Sequence, residues 1–399
     1  MKTKKNFAFD FLYNVIAYAI PVFANQIIIQ PTLGKMLSED VYGSILTLIN
    51  LINLIPFTVG NTLNNLRLIR NQEYLDKRVN GDFGILLSIG CFFALFLSTI
   101  GFKYFKNSVS SNELLFFIIL SAVWFFREYY IVVFRLAIDY KNILFNNLIM
   151  GIGYLVGLFF FSIGFFGGYW ELIYILGQLM SLSFIFWKGN KIFREKLVKT
   201  ELFSKTLNMA ILLLCANFLS SGLSNLDKLF IQPLLGNTAV SIYHASSVFT
   251  KIISTCTAPM AMVLLSYLSK KRTLERRTLI LTFQLSFFVA ICGYLFCVSF
   301  GRIFIQLLYP KYYYDAVLYI WITSANTMIA LIISMIRPFT MKFCDIKWQI
   351  VVGILSNVGY FVGILLLIRK YNIWGVCISY CISLLIQLVT YSYIIFKKT

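Results

Sequence analysis

The chain has 399 residues, 59% of them hydrophobic and only 13% charged, with a mean hydropathy of +0.79 and a formal net charge of +19. That composition excludes a soluble domain, which would expose large apolar patches, and it suits an all-α integral membrane protein, because a helix needs about 20 apolar residues to cross the hydrocarbon core. The single histidine, His244, excludes a histidine-rich metal centre, and the basic residues sit in short loops between apolar runs, where membrane orientation accounts for them better than nucleic acid does.

About twelve transmembrane helices are predicted. The first, 11–33, carries NQIIIQPTLG near its end and is expected to act as an uncleaved signal; Asp10 precedes it as an interfacial residue. The second, 42–66, carries Asn50, Asn53, Asn61 and Asn64, which at 100° per residue share an arc of about 80°. A lipid-facing helix has no use for such a stripe, so it marks either interhelical hydrogen bonding or a water-facing side. Arg67 and Arg70 close that span and read first as topology anchors. Spans follow at 83–102 and 114–135, the latter with Arg127 and Glu128 at its middle. These two either pair with neighbouring helices or supply a cation for an anionic headgroup and a carboxylate that gains and loses a proton.

After spans at 143–166 and 170–187 comes KGNKIFREKLVKTELFSK, the longest polar connection in the chain. It predicts an N-terminal six-helix bundle at 1–190, a cytoplasmic basic linker at 191–206 and a C-terminal six-helix bundle at 207–399. Span 207–235 carries Asp227 and Lys228. Span 240–268 carries His244, Ser247, Lys251 and Ser254 on one face, and a mid-span ammonium such as Lys251 is costly unless solvated or paired. The last spans are 278–300, 316–337, 347–368 and 373–396. Cys377 and Cys381 lie one helical turn apart with no histidine or carboxylate beside them, which does not make a metal site. No cofactor and no metal are expected.

Most of the 35 Lys and Arg residues fall on one alternating set of segments, from Lys2, Lys4 and Lys5 to Lys397 and Lys398. The other set holds only Lys35, Lys103, Lys106, Arg302, Lys311, Arg369 and Lys370. This asymmetry predicts an even number of crossings with both termini cytoplasmic. The basic runs at 141–145 and 269–277 are explained by attraction to anionic lipid headgroups, without a dedicated partner.

The chain also repeats itself. Residues 25–34, NQIIIQPTLG, and 227–236, DKLFIQPLLG, share Ile29/Ile231, Gln30/Gln232, Pro31/Pro233, Leu33/Leu235 and Gly34/Gly236. Pro and Gly are expected to end both helices there. Two six-helix halves of the same orientation predict parallel repeats around a central cavity with a substrate site, an arrangement that suits a transporter.

IQPTLGKMLSEDVYG, DKLFIQPLLGNTAVSIYHASSVFTK, LLYPKYYYDAVLYIWI and NVGYFVGILLLIRKYNIWGVCISY, in this order and spacing, resemble the bacterial polysaccharide (O-antigen type) flippases of the multidrug/oligosaccharidyl-lipid/polysaccharide exporter superfamily. The resemblance covers nearly the whole chain. It implies two six-helix bundles in the bacterial inner membrane that translocate a polyprenyl-diphosphate-linked oligosaccharide by alternating access. A polysaccharide polymerase and the rest of the synthesis machinery would be its partners. For a diphosphate, the fixed cations Arg127, Lys251 and Lys228 are the expected ligands; for sugars, the asparagine stripe with Ser247. Glu128 and Asp227 are the coupling candidates. There is no G-x-x-x-x-G-K-[ST] for ATP, so an ion gradient or consumption of the product is expected to supply the energy.

Two other readings compete. A drug/cation antiporter of the same superfamily would need carboxylates in excess, and Glu128 and Asp227 are outnumbered by three intramembrane bases. A polysaccharide polymerase or ligase would need a large outward loop with paired carboxylates, and the longest outward segments, about 101–113 and 301–315, are short and poor in acids. The protein is therefore expected not to be an enzyme.

Overall fold

A computed structural model describes residues 15–77, 79, 81–106, 110–189, 197–255, 276–344 and 347–397, with the side chains of 220–224 and 254–255 left aside. The described residues are helical and contain no strand. In chain order the helices are α1 (Val15–Met36), α2 (Glu39–Asp76), α3 (Asp82–Phe105), α4 (Ser111–Leu136), α5 (Tyr140–Ser162) and α6 (Glu171–Lys188). They continue as α7 (Phe203–Leu235), α8 (Asn237–Thr255), α9 (Arg276–Leu308) and α10 (Ile320–Phe343), with a short helical turn at 310–317 between the last two. Lys347–Phe396 is one helical run broken at Asn372, whose φ of 49° and ψ of −128° divide it into α11 (347–371) and α12 (373–396). The twelve helices among the described residues match the predicted spans one for one. Eight helical runs are long and apolar enough to cross a membrane, and large apolar side chains such as Phe92, Phe96, Phe159 and Leu366 are exposed, as expected of a surface solvated by lipid. The chain is a multi-pass membrane protein.

Local chemistry sets the helix ends. α4 begins at a capping box in which Ser110 and Glu113 satisfy each other's backbone N–H groups. Asp139 caps α5 by accepting from Asn142 N at 3.1 Å. The expectation that Pro and Gly end both repeat helices is met only by Gly236, which lies at φ +88° and donates its N–H to Gln232 O at 2.9 Å. Pro31 and Pro233 lie inside α1 and α7, and α1 runs past Gly34 to Met36. A widened π turn at Ala24–Ile29 precedes Pro31, and another at Asn53–Phe57 contains Pro56. Such a turn absorbs the missing N–H and the clash of the ring with the carbonyl four residues back. The side chain of Ser254 lies outside the described residues.

The chain divides into two compact units that differ from the expected boundaries. The first is Met1–Gln30 with Thr47–Ser221, and the second is Pro31–Leu46 with Gly222–Thr399. The division therefore falls inside α7 rather than in the basic connection. Residues 31–46 join the second unit because they are bonded into it: Asn237 Nδ2 donates to Asp40 Oδ1 at 3.0 Å, Ser241 Oγ to Glu39 O at 2.8 Å, and Lys311 Nζ to Leu37 O at 3.2 Å. Tyr42 is fully buried there, its ring 6.0 Å from that of Tyr312 and 6.1 Å from that of His244. The C-terminal part of the basic connection stays with the first unit because Thr200 is bonded to Asp82.

In the first unit, α5 and α6 meet through glycines. A Cβ on Gly157 would lie 2.7 Å from Ile173 O, and one on Gly177 would lie 2.2 Å from the Tyr154 ring. Small residues let the two backbones approach, which is how helices gain contact where lipid supplies no hydrophobic drive. Gly177→Val is expected to overpack this seam and cost about 1–3 kcal/mol, read as a lower melting temperature of the detergent-purified protein.

Candidate functional site

The predicted site residues sort into two polar clusters, one in each unit. In the first, Arg127 and Glu128 lie on α4, and both are buried. The guanidinium pairs with Glu128 through Nη1, donates to Asn147 Oδ1 through Nη2, and donates to Ser181 Oγ through Nε at 3.3 Å. Its partners continue the network. Asn147 Nδ2 donates to Ala17 O at 2.7 Å, and Ser181 Oγ donates to Asn146 Oδ1 at 3.0 Å. One side chain thus ties α1, α4, α5 and α6 together.

The asparagine stripe of α2 does not act as one unit. Asn64 is buried, donating to Glu128 O at 2.8 Å and accepting from Arg135 Nη1 at 2.6 Å. It holds α2 to α4. Asn61 is half-buried and only loosely bonded, accepting from Asn65 Nδ2 at 3.5 Å. Asn53 is half-buried at the start of the π turn, where its backbone carbonyl accepts from Thr58 Oγ1 at 3.1 Å. Asn50 is buried, and its Nδ2 has no hydrogen-bond partner among the described residues. A buried donor left unbonded costs about 1–3 kcal/mol, so Asn50 stands apart from Asn64 in kind.

The second cluster lies in the second unit. Asp227 and Lys228 on α7 are buried, as are Tyr243, His244 and Ser247 on α8. Lys251 Nζ donates to Asp227 Oδ2 at 3.0 Å and lies 5.7 Å from the centre of the Tyr243 ring. Tyr243 hydrogen-bonds to Asp227 as well, and the Lys228 backbone N–H donates to Asp227 Oδ1 at 2.8 Å. Lys228 Nζ instead meets His244 Nδ1 at 2.9 Å. Ser247 Oγ bonds to His244 O at 3.3 Å, one turn back along its own helix. The exposures differ sharply: the Lys251 side chain is 35% exposed and that of Asp227 4%. Lys251 is the accessible end of a cluster whose other polar groups are sealed in, and it is the lysine that holds the Asp227 carboxylate.

Three features escaped the sequence reading, and a fourth, Arg70, was read only as a topology anchor. Asn146 and Asn147 interrupt the apolar run of α5, a polar pair in a span, and that signal could have been read. The aromatic partners Tyr243 and Tyr309 carry no such signal in a chain with 24 tyrosines. Asp82, fully buried at the start of α3, accepts from Tyr74 Oη at 2.7 Å, from Thr200 N at 2.7 Å and from Thr200 Oγ1. Arg70 is buried at the far end of α2, paired with Glu73 at 2.7 Å, while its Nε and Nη2 lack hydrogen-bond partners among the described residues.

No family profile matches the chain, and no curated protein matches it in sequence. Solved structures do. The fold is similar to that of the lipid II flippase MurJ in an inward closed conformation, with a TM-score of 0.71 at 14% identity over 97% of this chain and 86% of that one. It is also similar to an inward-facing multidrug resistance MATE family transporter of the MOP superfamily, with a TM-score of 0.66 at 12% identity over 95% and 93% of the two chains. A third similar structure is the Vibrio cholerae MATE transporter VcmN in its bent form, with a TM-score of 0.61 at 12% identity over 100% and 99%. The chain has the fold of these membrane transporters, and none of the three is an enzyme by description.

Proposed function

We propose that the protein is a flippase that carries a polyprenyl-diphosphate-linked oligosaccharide from the cytoplasmic to the outer leaflet of a bacterial inner membrane, for surface polysaccharide assembly. The observation that carries this reading is in the second-unit cluster: a partly exposed ammonium, Lys251, paired with the buried carboxylate of Asp227. A fixed cation at membrane depth attracts an anionic headgroup, and a diphosphate offers several acceptors to Lys251. Ser247, one turn before Lys251 on α8, is assigned to sugar hydroxyls. Asp227 is the coupling carboxylate, released when the headgroup draws Lys251 away. The site opens to each leaflet in turn, with both chain termini in the cytoplasm and a polysaccharide polymerase downstream. Arg127, first read as a headgroup ligand, is reassigned to holding the first unit, because Glu128, Asn147 and Ser181 already use its guanidinium.

The competing reading is a drug/cation antiporter, favoured by the likeness to MATE transporters. A cationic drug needs a carboxylate to spare, whereas Glu128 is bonded to Arg127 and Asp227 to Lys251. The test is complementation of a flippase-deficient strain. Wild type is expected to restore surface polysaccharide, and Lys251→Ala, at normal membrane levels, to lower it at least about 10-fold, the loss that follows from about 1.4 kcal/mol of headgroup interaction. Restored drug resistance without polysaccharide would select the antiporter instead.

A further inference from the structure

Lys228 is an unusual lysine. Its side chain is buried, and among the described residues no carboxylate lies within ion-pairing distance of its Nζ. The nitrogen instead meets the neutral-capable imidazole of His244, at 2.9 Å through Nδ1. The other ring nitrogen, Nε2, faces Tyr309 Oη at 3.5 Å. Tyr309 stands just beyond the end of α9, beside the 310–317 turn. A file of polar atoms thus runs from Lys228 through His244 to the buried hydroxyl of Tyr309.

We propose that Lys228 and His244 form a proton-exchange pair, which takes up a proton when an anionic headgroup engages Lys251. This rests on the reading of Lys251 given above. In the free protein, Lys251 and Lys228 lie near one carboxylate, and a second ammonium, at Lys228, would be buried without a counter-charge of its own and would face Lys251. A diphosphate on Lys251 brings negative charge to the cluster and removes that repulsion. The amine lone pair of Lys228 then takes the proton on His244 Nδ1 as Nε2 receives one from Tyr309, and the proton that restores the Tyr309 hydroxyl comes ultimately from a solvent hydronium. No charge is created in transit and the imidazole ends neutral.

The other groups that face this pair leave the assignment intact. Asp227 lies on the same helix; Tyr243 and Lys251 come from α8, Tyr360 from α11, and Cys377 and Tyr380 from α12, while the Tyr42 ring packs on His244. The phenols and the thiol ordinarily titrate at about 8.5–10. Burial lifts Tyr309, outside the membrane-spanning segments, well above that range, so it relays as a neutral hydroxyl. What distinguishes Lys228 from every one of them is a basic nitrogen with an imidazole in place of an acid.

Linkage makes the consequence reciprocal: an anion that binds with proton uptake must bind more tightly as pH falls. The experiment is calorimetric titration of inorganic pyrophosphate into the detergent-purified full chain, at several pH values and in two buffers of different ionisation enthalpy. Comparison of variants cancels the ionisation of the probe itself. Wild type is expected to take up about one proton more per bound pyrophosphate than Lys228→Met or His244→Phe, with affinity falling up to about 10-fold per pH unit more steeply. Both variants keep Lys251 and therefore keep pyrophosphate binding at low millimolar concentrations or tighter. If Lys228→Met and His244→Phe bind with the wild-type proton count, the exchange pair is overturned and the Lys251 site stands. If wild type does not bind pyrophosphate, or Lys251→Met binds it as well as wild type, the headgroup site falls and the exchange pair with it.

Discussion

Arg127→Ala is expected to empty the membrane of folded protein rather than leave an inactive transporter at normal abundance. The substitution strips Glu128 of its ion-pair partner and Asn147 and Ser181 of a donor, all in a buried part of the first unit. Removing one partner of a buried pair costs about 3–5 kcal/mol, because the surviving charge is left uncompensated, and that is a large fraction of the stability of an ordinary fold. Paired removal separates the cause. Arg127→Met with Glu128→Gln takes away both charges and should recover much of the loss seen in Arg127→Ala, as measured by membrane abundance and melting temperature. Normal abundance of Arg127→Ala, with transport alone abolished, would return Arg127 to the headgroup site.

Asp82→Ala is expected to be nearly as damaging, although Asp82 is far from both polar clusters in sequence and role. Its carboxylate receives the Tyr74 hydroxyl, the Thr200 hydroxyl and the Thr200 backbone N–H. The same Tyr74 oxygen is 2.8 Å from Thr206 Oγ1, so the bonds fasten α2, α3, the end of the basic connection and the start of α7 to one another. The buried Tyr74 hydroxyl and the two half-buried Thr200 donors lose their acceptor at once, at up to about 1–3 kcal/mol each before relaxation. Water can reach the neighbouring connection, so the net cost should settle at about 2–4 kcal/mol. Asp82→Asn keeps an acceptor oxygen and should lose less. Protease cleavage after the basic residues of 197–205, quantified in membrane vesicles, reads the same event directly: it should accelerate in Asp82→Ala and stay slow in Asp82→Asn. Equal cleavage of wild type and Asp82→Ala would show that the connection is held some other way.

The limits of the sequence reading have physical causes that individual residues display. The twelve spans were legible because hydropathy is a property of consecutive residues. The far end of α2 was not: 67–76 reads as a polar loop, yet it stays helical to Asp76 because Leu66, Arg67, Arg70 and Tyr74 find buried positions. Asp82 went unread, just before the span at 83–102, since its partner Thr200 is 118 residues away. Within the asparagine stripe, periodicity placed four residues on one face but did not tell Asn64, bonded to the α4 backbone, from Asn50, whose amide is unbonded. Interhelical bonding and ligand contact demand the same residue types at the same spacing, so the pattern left the two open. The unit boundary went the same way. A run of charge marked 191–206 as the seam, whereas hydrogen bonds from Asn237, Ser241 and Lys311 draw 31–46 into the second unit.

By itself, then, the order of residues determined that this chain is helical throughout its described length, lives in a bilayer and crosses it many times, because an apolar run of given length has one stable fate in lipid. It also determined which charges stand at membrane depth. Only the tertiary structure decided what those charges do. Arg127 found Glu128 on its own helix and two partners on other helices and became an internal tie, whereas Lys251 found Asp227 and kept a third of its side chain accessible. The cost of an unpaired charge in a low-dielectric interior obliges each one to find company, but which company is a matter of how distant segments pack.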